Sequence, residues 1–545
     1  MSTPRSRLSR PSDRPATLLV DGRPFLMLAG EAHNSAAGGA AVLERACRRA
    51  RQLHANTLLV PISWEAVEPE EGRFDLESVD RLLTTARRHE LRLVPLWFGA
   101  FKNTFSTYAP AWVKRDVKRF PRCEIRPGRP VGALCALSSE AVRADGRAFA
   151  EVMRHIARID GDGTVVMVQV QNEVGILGAE RDHAPLTERA FRLPPPPDFL
   201  SALAREAALL PPDVPADWSE RAARNANADW EAVFGPAGAE MFTAWTFAGY
   251  VQSVASAGRA QWDLPMFANA WLMQIPGEPA GSYPSGGPVA RMAALWRAAA
   301  PAVDLLAPDI YLSDFAAVAA EYAFPGNALF IPEARRDRGA ASCALHAFGR
   351  HAAIGFAPFG FESMADDAEP DAMALINPGG GATTHAHRDG DPTASADTMP
   401  PSSASQRLAH TYRLLAGLGD AFYTARATGR LTGAVQRPGE SGAVVALGGC
   451  RLQFHWTGQT DAAGYLGGVL VFSPADGEFF LIGTEFRLEL CPPQGQDGAM
   501  EWLELWEGQF IDGGWSPICR LNGDEFTIAP GRRPRAYRLM VHPAP

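Results

Sequence analysis

From about residue 24 the chain alternates short apolar runs with helical patterns, and it does so eight times over about 400 residues. The apolar runs are "PFLMLAGEAHNS", "ANTLLVPISWEAVEP", "LRLVPLWFGAFKN", "VVMVQVQNEVG", "LPMFANAWL", "VDLLAPDIYL", "NALFIPEARRD" and "AAIGFAPFGFES". Between the first two, Val42, Leu43, Ala46, Cys47, Ala50 and Leu53 recur at helical spacing. Repeated strand–helix alternation is the signature of βαβ units, and eight of them close into a (β/α)₈ barrel. A Val-rich run such as "VVMVQV" reads as a strand covered on both faces, as in parallel sheets. The predicted fold class is therefore α/β: a TIM barrel, with chemistry expected at the C-terminal ends of its strands.

The 545 residues exceed what one ordinary core accommodates. Residues 1–19, opening "MSTPRSRLSRPSDRPA", read as a disordered leader, because no apolar stretch ending in a cleavage site follows the basic start. Residues 20–427 are expected to form the barrel, with a flexible Gly-, Pro-, Ser- and Thr-rich loop near 377–405. Residues 428–545 break into short alternating strands separated by Gly, Asp and Pro, which predicts a C-terminal β-sandwich or jelly roll. Its aromatics, Phe454, Trp456, Phe472, Phe479, Phe480, Trp502 and Trp506, suit a sandwich core or a carbohydrate-facing surface.

Formal charge is −9 (52 basic against 61 acidic side chains) with no run of one sign, which disfavours nucleic acid and anionic membranes as partners. No stretch approaches the roughly 18 apolar residues of a membrane span. Seven scattered Cys without a CxxC pair argue against a disulfide framework or structural zinc, and suit a reducing compartment. The expected location is cytoplasmic, or periplasmic if the start codon is mis-called. His385, His387 and His410 raise the question of a metal, but no carboxylate-rich spacing accompanies them, so neither metal nor cofactor is expected.

Two acids end apolar runs in a way that suggests shared work. Glu173 follows Asn172 at the end of the fourth strand, and Glu333 emerges after Phe330, Ile331 and Pro332 at the end of the seventh, with Arg335 and Arg336 behind it. A closed barrel brings them together. Paired carboxylates can divide glycoside cleavage, one protonating the departing oxygen and the other attacking the anomeric carbon. The acid needs a raised pKa and the nucleophile must stay ionised. Glu173 is assigned as acid and Glu333 as nucleophile, with a nearby Arg to hold its charge. Asn172 is placed to hydrogen-bond a sugar 2-hydroxyl.

"QNEVG" on strand four with "PEARRD" on strand seven resembles the clan of retaining glycosidases that carry both Glu residues on those strands. "GEAHNS", the stretch from "ANTLLVPISWEAVEPEEGRFD" to "LWFGAFKN", and "AWVKRD" resemble glycoside hydrolase family 35 β-galactosidases over about residues 20–425. The C-terminal segment resembles the accessory β domain of their bacterial subgroup. One departure is the "GEAHNS" end of strand one, where the family typically has "G..HY.R".

This likeness implies a retaining exo-β-galactosidase acting on a galactoside or oligosaccharide. A homodimer is mildly preferred, because a barrel with an appended sandwich often associates, although the sequence carries no interface signature. Specificity for a β-glucoside, β-glucosaminide or arabinoside, a non-catalytic sugar-binding barrel, and a metal-assisted hydrolase are the competing readings. The remaining strand ends populate the expected barrel mouth: Glu31 and His33 after strand one, Trp64 after strand two as a stacking face or plain packing, and Asn103 after strand three. Tyr311 is expected to hydrogen-bond the nucleophile, and Glu362 follows strand eight. Glu68, Pro69, Gly72 and Asp75 read as turn and cap chemistry.

Overall fold

The computed structural model describes residues 5–11, 14–364, 403–458, 467–493 and 499–543. Eight parallel strands form a closed barrel in sequence order. They are β1 (Met27–Glu31), β2 (Thr57–Ser63), β3 (Arg92–Lys102), β4 (Val168–Asn172), β5 (Met266–Trp271), β6 (Leu305–Ile310), β7 (Phe330–Ala334) and β8 (Gly355–Pro358). Side chains alternate across each strand. Met27 and Ala29 of β1, Val94 and Leu96 of β3, and Phe267, Leu305 and Phe330 fill the barrel interior. Leu28, Ala268, Ala270, Leu306 and Ile331 point outward to the helices.

The helices cover the barrel, the outer ones with one apolar stripe and Ala340–Arg350 on nearly every side. In α1 (Ala40–Gln52) the stripe is Leu43, Ala46, Cys47 and Ala50, at positions i, i+3, i+4 and i+7. The longest are α2 (Ser139–Ile159) and α3 (Gly238–Arg259), which pack against each other beside β3 and β4. The Pro-rich break "RLPPPPDF" leads into a helix at Pro197–Arg205, where proline in the first turn costs no intrahelical hydrogen bond.

Part of the expected disordered leader is ordered. Ser6–Ser9 pairs antiparallel with Thr17–Val20, Ser6 Oγ donates to the Val166 carbonyl at 2.7 Å, and Leu18 and Val20 join the barrel-interior cluster. This hairpin plugs the barrel's N-terminal end. Its outer strand is polar because backbone pairing and one buried serine hold it, and neither leaves a hydrophobic signature in the sequence. The predicted loop at 377–405, including His385 and His387, lies outside the described residues except for 403–405. There Ser403 caps a helix that carries His410.

That helix and the one between β7 and β8 carry the C-terminal domain: α4 (Ala340–Arg350) and α5 (Ala404–Ala416). The domain's strands are β9 (Leu431–Val435), β10 (Gly442–Leu447), β11 (Cys450–Trp456), β12 (Gly468–Ala475), β13 (Glu478–Thr484), β14 (Phe486–Cys491), β15 (Met500–Ile511), β16 (Gly514–Arg520) and β17 (Arg535–Pro543). A six-stranded antiparallel sheet in the order β9-β12-β13-β17-β15-β16 lies against a three-stranded one, β10-β11-β14.

Phe454 and Phe479 pack between the two sheets, whereas Phe472 and Phe480 of the larger sheet face the barrel's helices. These four phenylalanines are core, as one of the two sequence readings had it; Trp456, Trp502 and Trp506 are half-buried. At the junction α4 approaches β9 so closely that a Cβ on Gly349 would lie 2.5 Å from the Thr432 carbonyl oxygen. Arg407 and Glu485 form a buried ion pair across it at 3.3 Å. No helix among the described residues is long and apolar enough to cross a membrane.

Candidate active site

The C-terminal end of the barrel is shaped by an irregularity between β3 and β4. Trp97 pairs with Val170 and Lys102 with Asn172, so β3 spends five residues where β4 spends two. Such a bulge re-aims the side chains beyond it. Asp145 of α2 stitches it together: it accepts from Trp97 Nε1 (2.7 Å), the Ala100 amide (3.0 Å), Gln171 Nε2 (2.7 Å) and the Tyr250 hydroxyl (2.9 Å). Burial lifts the Asp145 carboxyl to about 6 against the opposing pull of these donors. Gly99 is required here, since a Cβ would fall 2.4 Å from Trp97 Nε1 and 2.5 Å from the Asp145 carboxylate. Beyond the bulge Lys102 turns into the barrel mouth, buried, with Nζ donating to Asn172 Oδ1 at 2.9 Å.

On β4 the chain takes left-handed backbone at Gln171 (φ 64°) and again at Glu173 (φ 46°). Non-glycine residues adopt it at a cost of order 1 kcal/mol, and such strain collects at functional sites. It is held by Gln171 Oε1, which accepts the Phe101 amide at 2.9 Å, and by the Glu173 amide, which donates to Asn269 Oδ1 at 3.1 Å. Asn172 and Glu173 thereby both face the mouth, where a regular strand would send one of them outward.

Glu333 arrives from β7, where its register with β8 shifts between Ile331 and Ala334. Both its oxygens accept hydrogen bonds, one from Asn172 Nδ2 at 3.3 Å and the other from the Tyr311 hydroxyl at 2.8 Å. Carboxylate oxygens of Glu173, Glu333 and Asp309 lie within 4.8 Å of one another. Asp309 of β6 accepts from Asn269 Nδ2 at 2.7 Å. Its carboxylate and those of Glu173 and Glu333 crowd one another, so the three are not all ionised at equal cost.

Burial, and after it the charge of Glu333, lifts the Glu173 carboxyl to about 7, with Lys102 pulling the other way. The same two causes raise Asp309 well above the usual carboxylate range. Burial opposes the charge of Lys102 itself, but Glu333, Glu173, Glu31 and Asp309 outweigh it and hold the ammonium above its ordinary value. By distance, Glu173, Asp309 and Glu333 could hold a divalent cation; Lys102, facing the same carboxylates, already supplies positive charge there and repels a second cation.

The other expected residues distribute around this centre. Glu31 is fully buried, raised well above its usual range by burial and then by Glu333, and neither of its oxygens has a hydrogen-bond partner among the described residues. A buried carboxyl in that condition is set to bind a ligand hydroxyl or water. The His33 amide donates to Glu362 Oε1 at 2.9 Å, the His33 ring lies 3.1 Å from Ser363 Oγ, and Glu362 is close enough to act on Glu31. Asn103 stands in a tight turn with Thr104, both left-handed, and the Thr104 amide donates to the Glu173 carbonyl at 3.1 Å.

One expectation is corrected. Trp64 is not in the mouth: it is fully buried among the outer helices, edge-on to Trp112 at 5.9 Å, with Nε1 donating to Glu68 Oε2 at 2.9 Å. It follows Ser63 on a strand whose Leu59 points inward, so an even-numbered position faces out. Of the two arginines behind Glu333, Arg335 pairs with Asp337, while Lys102 is a cation that Glu333 acts on. Lys102, Asp309, Asn269 and Asp145 contact or support this cluster, and the sequence expectations did not include them.

A sequence family described as "Domain of unknown function (DUF5597)" matches residues 408–528, which run from α5 through most of the C-terminal domain. No curated protein matches. Among solved structures, a beta-galactosidase from Bacillus circulans sp. alkalophilus is similar at 13% identity and TM-score 0.44, covering 61% of this chain and 50% of that one. A catalytic mutant of a GH42 beta-galactosidase from G. stearothermophilus is similar at 16% identity and TM-score 0.42, covering 61% and 51%. The catalytic domain of a beta-amylase from Paenibacillus polymyxa is similar at 13% identity and TM-score 0.43, covering 61% of this chain and 91% of that one. The chain thus spans about half the length of the two beta-galactosidases.

Proposed function

We propose that this chain is a retaining exo-β-glycosidase that removes terminal β-D-galactosyl units, with Glu173 as acid/base and Glu333 as nucleophile. The observation that carries the reading is the approach of their carboxylate oxygens within 4.8 Å at the ends of β4 and β7. Retaining enzymes hold the two groups about 5–5.5 Å apart, whereas inverting ones need roughly 6.5–9.5 Å to admit a water. The galactosyl preference rests on the sequence resemblance to family 35.

In the first step a Glu333 oxygen bonds to the anomeric carbon while the bond to the leaving oxygen breaks and takes the proton of Glu173. In the second, Glu173 removes a proton from water, the water oxygen bonds to the same carbon, and the Glu333 ester bond breaks. Negative charge therefore moves from β7 to β4 and back. Lys102 acts electrostatically on both acids, so it stabilises either location without moving. Asn172, held by Lys102 and donating to Glu333, is placed to shift its amide to a sugar hydroxyl as the nucleophile's charge is consumed.

Nitrophenyl β-D-galactoside, β-D-glucoside, β-D-fucoside and α-L-arabinopyranoside test the reading, with the anomer first released followed by NMR. The β-galactoside is expected to be cleaved fastest, with β-galactose as the first product. An α first product would replace retention by inversion, and a folded protein that cleaves none of the four would point to a binding barrel. Lys102→Met should lower kcat/KM and move the basic limb of its pH profile upward. Lys102 pulls the Glu173 pKa down, so without it Glu173 keeps its proton to higher pH. A limb that stays in place would detach Lys102 from the acid.

A further inference from the structure

Trp271 closes β5 on the inner face of the barrel. Along this strand Phe267 belongs to the interior cluster, Ala268 and Ala270 to the outer one, and Asn269 points in to Asp309. Trp271 is the next inward position, roughly 6.5 Å further along the strand than Asn269. It stands in register with Asp309 of β6. Unlike the fully buried Trp64, Trp97, Trp230 and Trp296, it is only half-buried. Among the described residues its ring makes no aromatic or cation contact and its Nε1 no hydrogen bond.

The barrel mouth is chemically divided around it. The polar groups Glu31, His33 and Glu362 gather at β1 and β8, across the barrel from β5. Those groups suit the hydroxyls of a glycosyl unit, and neither Glu31 oxygen has a hydrogen-bond partner among the described residues. β5 lies next to β4, which carries Glu173. An acid protonates the oxygen that departs, so the leaving group lies on the acid's side of the scissile bond. A half-buried indole at that place offers a large, rigid, apolar surface to the C–H face of a pyranose.

We propose that Trp271 is the platform for the leaving-group sugar, so that the substrate is a glycoside of another sugar. This rests on the retaining-glycosidase reading above. The same platform holds an incoming sugar when a hydroxyl other than water's attacks the glycosyl ester: the sugar oxygen bonds to the anomeric carbon, its proton passes to Glu173, and the Glu333 ester bond breaks.

The test is the ratio of transfer to hydrolysis with 4-nitrophenyl β-D-galactoside as donor, using either D-glucose or methanol as acceptor. Trp271→Ala should lower the ratio for glucose by roughly tenfold or more and leave that for methanol unchanged. Trp271→Phe should recover most of the loss. A glucose ratio unmoved in Trp271→Ala, no transfer to glucose by wild type, or an equal fall with both acceptors would overturn the assignment, the last by showing a structural role. If folded wild type releases nitrophenol from none of the four nitrophenyl glycosides above, the glycosidase reading falls and takes this one with it; if it releases nitrophenol and only the ratio fails, Trp271 alone is wrong.

Discussion

Glu333→Gly should abolish turnover of 4-nitrophenyl β-D-galactoside, with a fall in kcat of at least roughly 10⁴-fold, and leave the fold intact. Losing this carboxylate removes a buried charge that raises Glu31, Glu173 and Asp309, so relieved repulsion offsets the lost hydrogen bonds from Asn172 and Tyr311. In the proposed mechanism the vacated space lies below the sugar, facing the anomeric carbon. Azide entering it should attack an activated aryl galactoside with inversion and give α-galactosyl azide, restoring aryl release. The anomer identifies the face from which the missing group acted. No rescue, or a β-azide, would remove Glu333 from the nucleophile's position.

The sequence made the barrel legible because each strand is an apolar run ending in polar residues. Glu173, Glu333 and Tyr311 were readable by the same rule: they stand at the polar ends of these runs, and the structure brings all three together at the mouth. Asp309 was hidden inside what looks like one more apolar strand, yet alternation places 305, 307, 309 and 311 on one face, and Tyr311 was already assigned to the mouth. Counting parity from Tyr311 would have found it, and from Leu59 would have sent Trp64 outward.

Lys102 carried the same signal, as the first polar residue past the third run and of one parity with Val94, Leu96 and Phe98, but nothing in the sequence showed that it would be buried among carboxylates. The β3 bulge around it is held by Asp145, far along the chain on α2, which collects four donors. Tertiary hydrogen bonding of that kind leaves no period in the sequence. The Ser6–Ser9 strand was missed for a related reason, since its stability comes from pairing with Thr17–Val20 and not from its own hydrophobicity.

Removing the acid should have an effect that depends on the substrate. In Glu173→Ala, kcat/KM should fall by roughly 10³- to 10⁴-fold for a phenyl galactoside or a disaccharide, and by less than about tenfold for 2,4-dinitrophenyl galactoside, whose anion leaves without a proton. Equal losses on both would count against the acid assignment. Added azide should speed the slow second step and give β-galactosyl azide, the opposite anomer from that expected of Glu333→Gly. The pH profile carries the same information with a definite sign. Burial and the Glu333 charge hold the Glu173 proton to about pH 7. Wild-type kcat/KM on poor leaving groups should therefore decline as pH rises through about 7, where the proton is lost. In Glu173→Gln that basic limb should vanish, because the amide has no proton to lose in this range. A limb that survives the substitution belongs to another group, and Asp309 and Glu31, both raised and both facing Glu333, are the carboxyls to change next.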